Sequence, residues 1–383
     1  MCIRDSFGAC EGGIRRLTLG PEDKAVRDWF AGECEALGLR VTVDEVGNMF
    51  ALRPGRTDRP AIAMGSHLDT QPTGGRFDGI LGVLAGLEAM RVLDDSGYVT
   101  EAPLMVVNWT NEEGSRFNPS MLGSGVWCGV HDRAFADARQ DEDGTCFGDA
   151  LEAIGYRGDG RATFGAMFEL HIEQGPILEA EGARIGVVTG VQGCRWYAVT
   201  VTGVAAHTGT TPMALRQDAL VAAARLVLAV EALAEEGGVA SVGFMEVVPN
   251  STNVIPGEVR LRVDLRHPDD AALDRMEAAL HAAADGAEIT PISRTDAVAF
   301  DPECIASVRR ATERSGLTAR DITSGAGHDA QHVARVVPTT MIFVPSEKGL
   351  SHNFAEYTSS ADCAAGAQVL LDAVLDYDRR MEG

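Results

Sequence analysis

Four short apolar runs in this chain are each followed by side chains of the kind that bind metal ions. The runs cover residues 61–65, 104–109, 166–170 and 339–344. Their length and composition are typical of buried β-strands, and helical patterns such as 79–94 and 361–379 lie between them. Strands that alternate with helices predict an α/β fold, with a parallel or mixed sheet covered on both faces. Because ligands bind beyond the carboxyl ends of such strands, the four strand ends predict one common site.

The residues at these strand ends are histidines and carboxylates. The five candidate metal ligands are His67, Asp78, Glu113, His171 and His352. Asp69, two residues after His67, could accept from the second ring nitrogen of that histidine and fix its tautomer. Glycines on either side of Asp78 would let a loop return it to the same edge, where its two oxygens could bridge two ions. Zinc suits such nitrogen and oxygen ligands, and manganese, cobalt and nickel remain alternatives.

The adjacent acids Glu112 and Glu113 follow the second apolar run. Two neighbouring carboxylates at a buried strand end are costly unless they meet cations. One of them can bind a metal ion, while the other stays free to take a proton from water as a general base. The pair therefore predicts a catalytic metal site.

The middle of the chain has a different pattern, which predicts a separate α+β unit. Its elements are a strand from about 192, a helix over 213–236, strands over 239–249 and 258–266, and an amphipathic helix over 269–286. The last ligand-bearing segment follows this unit, so the unit is inserted into the first domain. The predicted domains are 1–191 with 303–383, and 192–302.

The composition disfavours two classes of partner. Lysines and arginines total 33 against 56 acids, and the formal net charge of −23 repels nucleic acids and anionic membranes. No apolar run reaches the roughly 18 residues of a membrane helix, and the opening MCIRDSFGAC lacks the apolar stretch of a signal peptide. Because MCIRDS resembles a translated sequencing adapter, no fold prediction rests on residues 1–8. The eight cysteines are scattered without a Cys-x-x-Cys pair, which predicts reduced thiols in a cytoplasmic protein.

Several longer motifs carry a resemblance to a known family. They are GSHLDTQPTGGRFDG, NEEGSRF, ELHIEQGP, GVAAHTG, STNVIPG, SGAGHDA and GLSHNFAEYT. From about residue 12 to its end, the chain resembles the amidase/hydantoinase-carbamoylase branch of the aminoacylase-like zinc amidohydrolases. This branch contains L-carbamoylases, allantoate amidohydrolases and bacterial-type β-ureidopropionases. The resemblance implies an α/β/α catalytic domain with a smaller, ferredoxin-like α+β domain inserted for dimerisation or as a lid.

The resemblance also implies roles for the candidate residues. His67, Asp78 and His171 would hold one divalent ion, and Asp78, Glu113 and His352 would hold a second. The ions would be zinc, or manganese, cobalt or nickel.

The implied catalytic residues are Glu112, Asp69 and His207. Glu112 would be the general base, and Asp69 would orient His67. His207 would reach the active site of a partner subunit and polarise the scissile carbonyl, which implies a homodimer formed through residues 192–302.

The implied substrate-binding residues are Gln174, Asn253, Arg266 and His328. Arginine suits a substrate carboxylate, because guanidinium binds carboxylate through two parallel hydrogen bonds. Asn253 matches a position that binds the same carboxylate, and Gln174 lies close to that pocket. His328, with Asp329, fits a motif that lines the pocket.

The reaction expected from the resemblance is hydrolysis of the N-carbamoyl group of N-carbamoyl-L-amino acids. Allantoate and β-ureidopropionate are alternative substrates, and acylated amino acids or dipeptides are further ones. An alternative of a different class is that the protein has the same fold but is non-catalytic and binds a metal or a small molecule. The presence of Glu112 beside a complete ligand set argues against that reading.

Overall fold

The computed structural model describes residues 6–380, which form two compact units. Gly190–Val298 forms the second unit, and the described residues before and after it form the first. Residues 1–5, where the adapter-like stretch begins, lie outside the described part of the chain. Among the described residues, no helix is both long and apolar enough to cross a membrane.

The strands, numbered along the chain, are β1 (Ala9–Cys10), β2 (Gly13–Ile14), β3 (Arg40–Val43), β4 (Met49–Arg53), β5 (Ala61–His67), β6 (Leu104–Trp109), β7 (Phe164–Ile172), β8 (Ile185–Val191), β9 (Gly193–Thr202), β10 (Ala206–His207), β11 (Val239–Val248), β12 (Val254–Ile255), β13 (Glu258–His267), β14 (Glu288–Thr295), β15 (Val298–Ala299), β16 (Ala319–Ser324) and β17 (Thr339–Val344).

The α-helices are α1 (Pro21–Ala36), α2 (Ile80–Asp95), α3 (Leu122–Trp127), α4 (Arg133–Asp137), α5 (Phe147–Ile154), α6 (Ile177–Glu181), α7 (Ala219–Glu231), α8 (Asp270–Ala283), α9 (Pro302–Arg314), α10 (Asp329–Val333) and α11 (Ser360–Arg380). Short 3-10 turns cover Met213–Leu215 and Glu347–Gly349.

A mixed nine-stranded sheet forms the centre of the first unit. Its order is β15-β8-β17-β7-β5-β6-β4-β3, and β16 pairs with β8. The central strands β17, β7, β5 and β6 pair in parallel, whereas β8 and β4 pair antiparallel with their inner neighbours. These four parallel strands are the four apolar runs of the sequence, so their carboxyl ends lie side by side.

Helices cover both faces of this sheet, as the alternation of strands and helices predicted. Gly86 of α2 lies against Met64 and Val106. Val333 of α10 packs in a cluster with Ala63 and Val107. Because successive strand residues point to opposite faces, the two helices lie on opposite sides of the sheet. Every residue of β5, β6 and β17 is therefore buried.

The second unit is a four-stranded antiparallel sheet with two helices. Its order along the chain is β9-α7-β11-β13-α8-β14, and its spatial order is β11-β13-β9-β14. This strand order is that of a ferredoxin-like sheet. Buried residues of β9 and β13, such as Val199 and Leu261, pack against Leu226 of α7 and Met276 of α8.

Two details of the second unit differ from the sequence prediction. The predicted helix over 213–236 was too long, because α7 begins only after Asp218, whose side chain accepts from the backbone N–H groups of Leu220 and Val221. The fourth strand, β14, was not predicted. It contains Pro291 and is mostly exposed, so it lacks the apolar alternation that marks a half-buried strand.

Candidate metal centre

His67 and His171 stand at the carboxyl ends of neighbouring parallel strands and are both 1% exposed. Nδ1 of His67 lies 3.0 Å from the backbone oxygen of Asp69, and Nδ1 of His171 lies 2.9 Å from that of Ile172. A carbonyl oxygen only accepts, so each neutral ring carries its hydrogen on Nδ1. Both rings therefore present the lone pair of Nε2 for a metal ion.

Asp78 returns to these histidines through the glycine-containing loop, as its sequence context predicted. Its Oδ1 lies 3.5 Å from Nε2 of His67 and 3.1 Å from Nε2 of His171. Gly79 allows this approach, because it has a φ of 65° and a Cβ at this position would overlap the His67 ring. One potential ligand atom from each of His67, Asp78 and His171 lies within 4.8 Å of the others. We call these three residues the sheltered set.

A second group of potential ligands shares Asp78. Nε2 of His352 lies 3.5 Å from Oδ2 of Asp78 and 3.4 Å from Oε2 of Glu113. His352 is in the left-handed region, with a φ of 52°, and its side chain is 50% exposed. We call Asp78, Glu113 and His352 the open set. The five candidate ligands thus form two groups that meet at one carboxylate.

Glu112 lies beside the sheltered set without belonging to either group. Its Oε2 is 3.4 Å from Nε2 of His67. The turn that carries it begins at Asn111, which has a φ of 59° and donates from its side chain to the backbone oxygens of Phe117 and Pro119. This turn leaves Glu112 next to the candidate metal ligands.

Asp69 differs in part from its predicted role. The closest contact that Asp69 makes with the His67 ring is through its backbone oxygen, while its carboxylate Oδ1 lies 3.6 Å from the same Nδ1. The carboxylate instead accepts from the backbone N–H groups of Glu112 and Glu113, at 3.3 Å each, and from the hydroxyl of Thr18 at 2.6 Å. Asp69 therefore fixes both the histidine and the turn that carries the two glutamates.

Three buried acids, Glu112, Glu113 and Asp78, lie close together at the centre. Burial raises the pKa of Glu112 well above its usual range, with His67 opposing and Asp329 adding to the effect. Burial also raises the pKa of Glu113, and the nearby charge of Asp78 raises it further. Burial opposes ionisation of Asp78, but a protonated His171, through its charge and its hydrogen bond, holds the pKa of Asp78 well below normal. Such a cluster of buried acids is favourable only near positive charge.

The donor set fits a divalent metal ion. Nε2 of His67 is buried and has no hydrogen-bond partner among the described residues. It faces carboxyl oxygens of Asp78 and Glu112, so when the ring is neutral and both acids are ionised, its lone pair points at atoms that only accept. A cation between them turns this repulsion into attraction, and imidazole nitrogen with carboxylate oxygen is a common donor set for zinc.

Two of the predicted substrate-binding residues lie at this centre. Nε2 of Gln174 donates to Oδ2 of Asp78 at 2.8 Å and lies 3.4 Å from Nε2 of His352. The ring of His328 lies 4.5 Å from that of His171, centre to centre, and its Nε2 is buried with no partner among the described residues. Glu169, His171 and His328 form a third group that could bind a metal, but it shares His171 with the sheltered set.

The other three predicted residues belong to the second unit. His207 and Asn253 are brought together there, because β10 pairs with β12 and His207 lies opposite Val254. Both are exposed. Arg266 lies on β13. Its Nε donates to both carboxylate oxygens of Asp264 at 3.1 Å, and its Nη2 donates to Oδ2 at 2.8 Å.

Sequence reasoning missed three polar residues that hold this centre. Gln71 donates to both oxygens of Glu113. Glu356 accepts from the backbone N–H of Asp78 at 3.1 Å. Glu169 is fully buried and accepts from Ser66 at 2.6 Å. Only Glu169 carried a signal, as an acid inside an apolar strand two residues before His171, on the same strand face.

Comparison with known proteins places the chain in a family. The pattern of peptidase family M20/M25/M40 matches residues 63–376. The chain belongs to this family. It is 50% identical over 381 residues to the N-carbamoyl-L-amino-acid amidohydrolase of Rhizobium meliloti. The aligned region covers 95% of this chain and 91% of that relative. It is 35% identical over 387 residues to the allantoate amidohydrolase of Bacillus subtilis (strain 168), covering 96% and 93% of the two chains.

Solved structures agree with this assignment. The crystal structure of an amidase of the hydantoinase/carbamoylase family from Burkholderia multivorans matches with a TM-score of 0.95 and 50% identity, over 98% of this chain and 95% of that one. Within the M20/M25/M40 family, the chain is therefore an amidohydrolase of the hydantoinase/carbamoylase type. It is a metal-dependent hydrolase of C–N bonds, which confirms the resemblance seen in the motifs.

Proposed function

We propose that this member of the M20/M25/M40 family hydrolyses the N-carbamoyl group of N-carbamoyl-L-amino acids with two divalent metal ions. The observation that carries the proposal is the unpartnered, buried Nε2 of His67, which faces carboxylates of both Asp78 and Glu112. A candidate ligand nitrogen thus lies within 3.5 Å of a second candidate ligand, Asp78, and of the proposed base, Glu112. The substrate class is supported by the 50% identity to a relative named for this activity.

The two ligand sets would each hold one ion and share Asp78. Zinc suits their nitrogen and oxygen donors, with manganese, cobalt and nickel as alternatives. When bound, such ions supply Lewis acidity, which lets water attack a carbonyl at neutral pH.

Glu112 is the general base in this proposal. It takes a proton from the attacking water and returns it to the leaving nitrogen, so its net charge is restored at the end of each cycle. Water adds to the carbamoyl carbon, and the bond from that carbon to the amino-acid nitrogen breaks. The products are the L-amino acid and carbamate, which decomposes to carbon dioxide and ammonia.

The remaining residues would bind the substrate. Arg266, held by Asp264, and Asn253 would bind the carboxylate, while Gln174 and His328 would line the pocket beside the ligands. His207 would serve the active site of the other subunit in a homodimer formed through residues 192–302, where it would polarise the scissile carbonyl. This assembly is supported by the family resemblance and by the pairing that places His207 next to Asn253.

The protein would act in the cytoplasm on a small ureido or amide substrate that carries a carboxylate. The described cysteines form no disulfide, which supports a reducing compartment. The acidic net charge of −23 supports the expectation that neither nucleic acid nor a membrane is a partner.

Allantoate is the second candidate substrate, since the relatives named allantoate amidohydrolase include one from Escherichia coli (strain K12) that is 38% identical. A panel of N-carbamoyl-L-amino acids, allantoate and ureidopropionate decides between the candidates, with ammonia release measured after reconstitution with defined metals. We expect the highest kcat/KM on an N-carbamoyl-L-amino acid. A higher value on allantoate would replace the proposed substrate, and no turnover of any member would contradict the proposed reaction.

A further inference from the structure

We infer that Gln71 is a positioning residue for Glu113 and that it sets how firmly the open set holds its metal ion. The inference rests on the proposed two-metal function. Nε2 of Gln71 donates to Oε2 of Glu113 at 2.7 Å, and the backbone N–H of Gln71 donates to Oε1 at 3.1 Å. One residue thus holds both oxygens of a candidate metal ligand.

Gln71 is itself fixed by its neighbours. The backbone N–H of Gly74 donates to the oxygen of Gln71 at 3.1 Å. The backbone N–H of Thr70, the preceding residue, donates to the backbone oxygen of Arg16 at 2.9 Å. The backbone N–H of Arg16 donates in turn to the Thr70 hydroxyl at 2.8 Å. The backbone from which the Gln71 side chain extends is therefore held in place, and with it the backbone N–H that donates to Glu113.

The chemistry of the contact sets its direction. A carboxylate only accepts hydrogen bonds, so the amide nitrogen of Gln71, and not its oxygen, must face Glu113. Hydrogen bonds to a charged acceptor are stronger than those between neutral groups.

The contact concerns one ligand set only. In the sheltered set, His67 and His171 are held by backbone oxygens, and the side-chain hydrogen bonds of Gln71 go to Glu113. Loss of the Gln71 amide should therefore free Glu113 to adopt other rotamers, so that binding of the second ion must order it again. Removing such a partner of a metal ligand typically weakens metal binding by roughly 10–100-fold.

The test is a zinc titration of the chelator-treated, full-length protein in competition with a chromophoric chelator. Gln71→Met keeps the length of the side chain and removes its donor. We expect the first equivalent of zinc to bind as in the unchanged protein and the second to bind roughly 10–100-fold more weakly. Gln71→Leu serves as a second variant, and thermal unfolding of each chelator-treated protein checks that it folds.

Two controls separate positioning from a general structural effect. Gln140→Met makes the same chemical change at an exposed glutamine whose side chain contacts Cys146, and it should leave both equivalents unchanged. Glu113→Ala removes the residue that Gln71 holds, so adding Gln71→Met to it should cause no further weakening.

Three results would overturn the inference. They are an unchanged or tighter second equivalent in Gln71→Met, equal weakening of both equivalents, and a further loss when Gln71→Met is added to Glu113→Ala. If the unchanged protein binds two equivalents and Gln71→Met behaves like it, only this inference fails. If the unchanged protein binds fewer than two, the proposed two-metal function fails and the inference fails with it.

Discussion

The sheltered set and the open set share Asp78 but differ in how the protein holds them. His67 and His171 are 1% exposed, and backbone oxygens fix both rings. In the open set, the His352 side chain is 50% exposed, and the side chain and backbone N–H of Gln71 both donate to Glu113. Main-chain oxygens thus fix the two histidines of the sheltered set at strand ends, whereas the open set lies on loops and depends in part on a side chain.

Because the two sets are held differently, substitutions should affect metal binding mainly at the open set. A backbone oxygen is present whatever the residue, so the tautomers of His67 and His171 depend little on the sequence of the surrounding loops. The open set depends on particular side chains in loops, which are more mobile and more variable than strands. We therefore expect metal exchange to begin at the open set.

Glu112→Gln tests whether Glu112 serves as the proposed base without belonging to either ligand set, and it should change activity more than the other substitutions. The amide cannot take a proton, so kcat for ammonia release should fall by roughly 10²–10⁴-fold. Because Glu112 is in neither set, the variant should still bind two equivalents of zinc. Retention of most of the kcat would remove Glu112 from the catalytic role.

Arg266→Ala tests a residue that belongs to neither set. Hydrogen bonds to charged groups contribute about 1.5–3 kcal/mol, so KM for an N-carbamoyl-L-amino acid should rise by roughly tenfold or more. Zinc binding should be unchanged, and kcat should change less than KM. If KM stays the same, Arg266 does not bind the substrate carboxylate.

His171→Ala and His352→Ala should differ modestly in stability, because one changes a buried histidine and the other a half-exposed one. In chelator-treated protein, His171→Ala leaves buried Asp78 without the partner that lowers its pKa, at a cost of about 1–3 kcal/mol. His352→Ala changes a half-exposed side chain, and such substitutions are usually within about 0.5 kcal/mol. Thermal unfolding should therefore show a lower Tm for His171→Ala only, and equal values would contradict the difference in shelter.

The sequence predicts the parts of this protein that rest on local patterns. The four apolar runs became the four parallel strands. β5, β6 and β17 are buried along their whole length, so their sequences form apolar runs and do not alternate as half-exposed strands do. Their order in the sheet then brought His67, His171 and the turn at Glu112 together. The motifs also identified the family, and with it the candidate ligands.

Features that depend on distant contacts could not be predicted. Gln71 is 42 residues from Glu113, and Glu356 is 278 residues from Asp78, so no local pattern connects them. The start of α7 was predicted too early because the apolar pattern continues before Asp218, whereas the Asp218 side chain caps the helix and fixes its first residue. In Asp69, the backbone oxygen makes the closest contact with the His67 ring, and the sequence cannot distinguish that atom from the carboxylate.

Anomalous diffraction at the zinc edge, from crystals of the zinc-loaded protein, would show whether the two ligand sets each bind one metal ion. We predict two peaks, one bounded by His67, Asp78 and His171 and the other by Asp78, Glu113 and His352. The peak at the open set should weaken first when crystals are soaked in chelator. A single peak in fully loaded crystals, or peaks away from these ligands, would contradict the account.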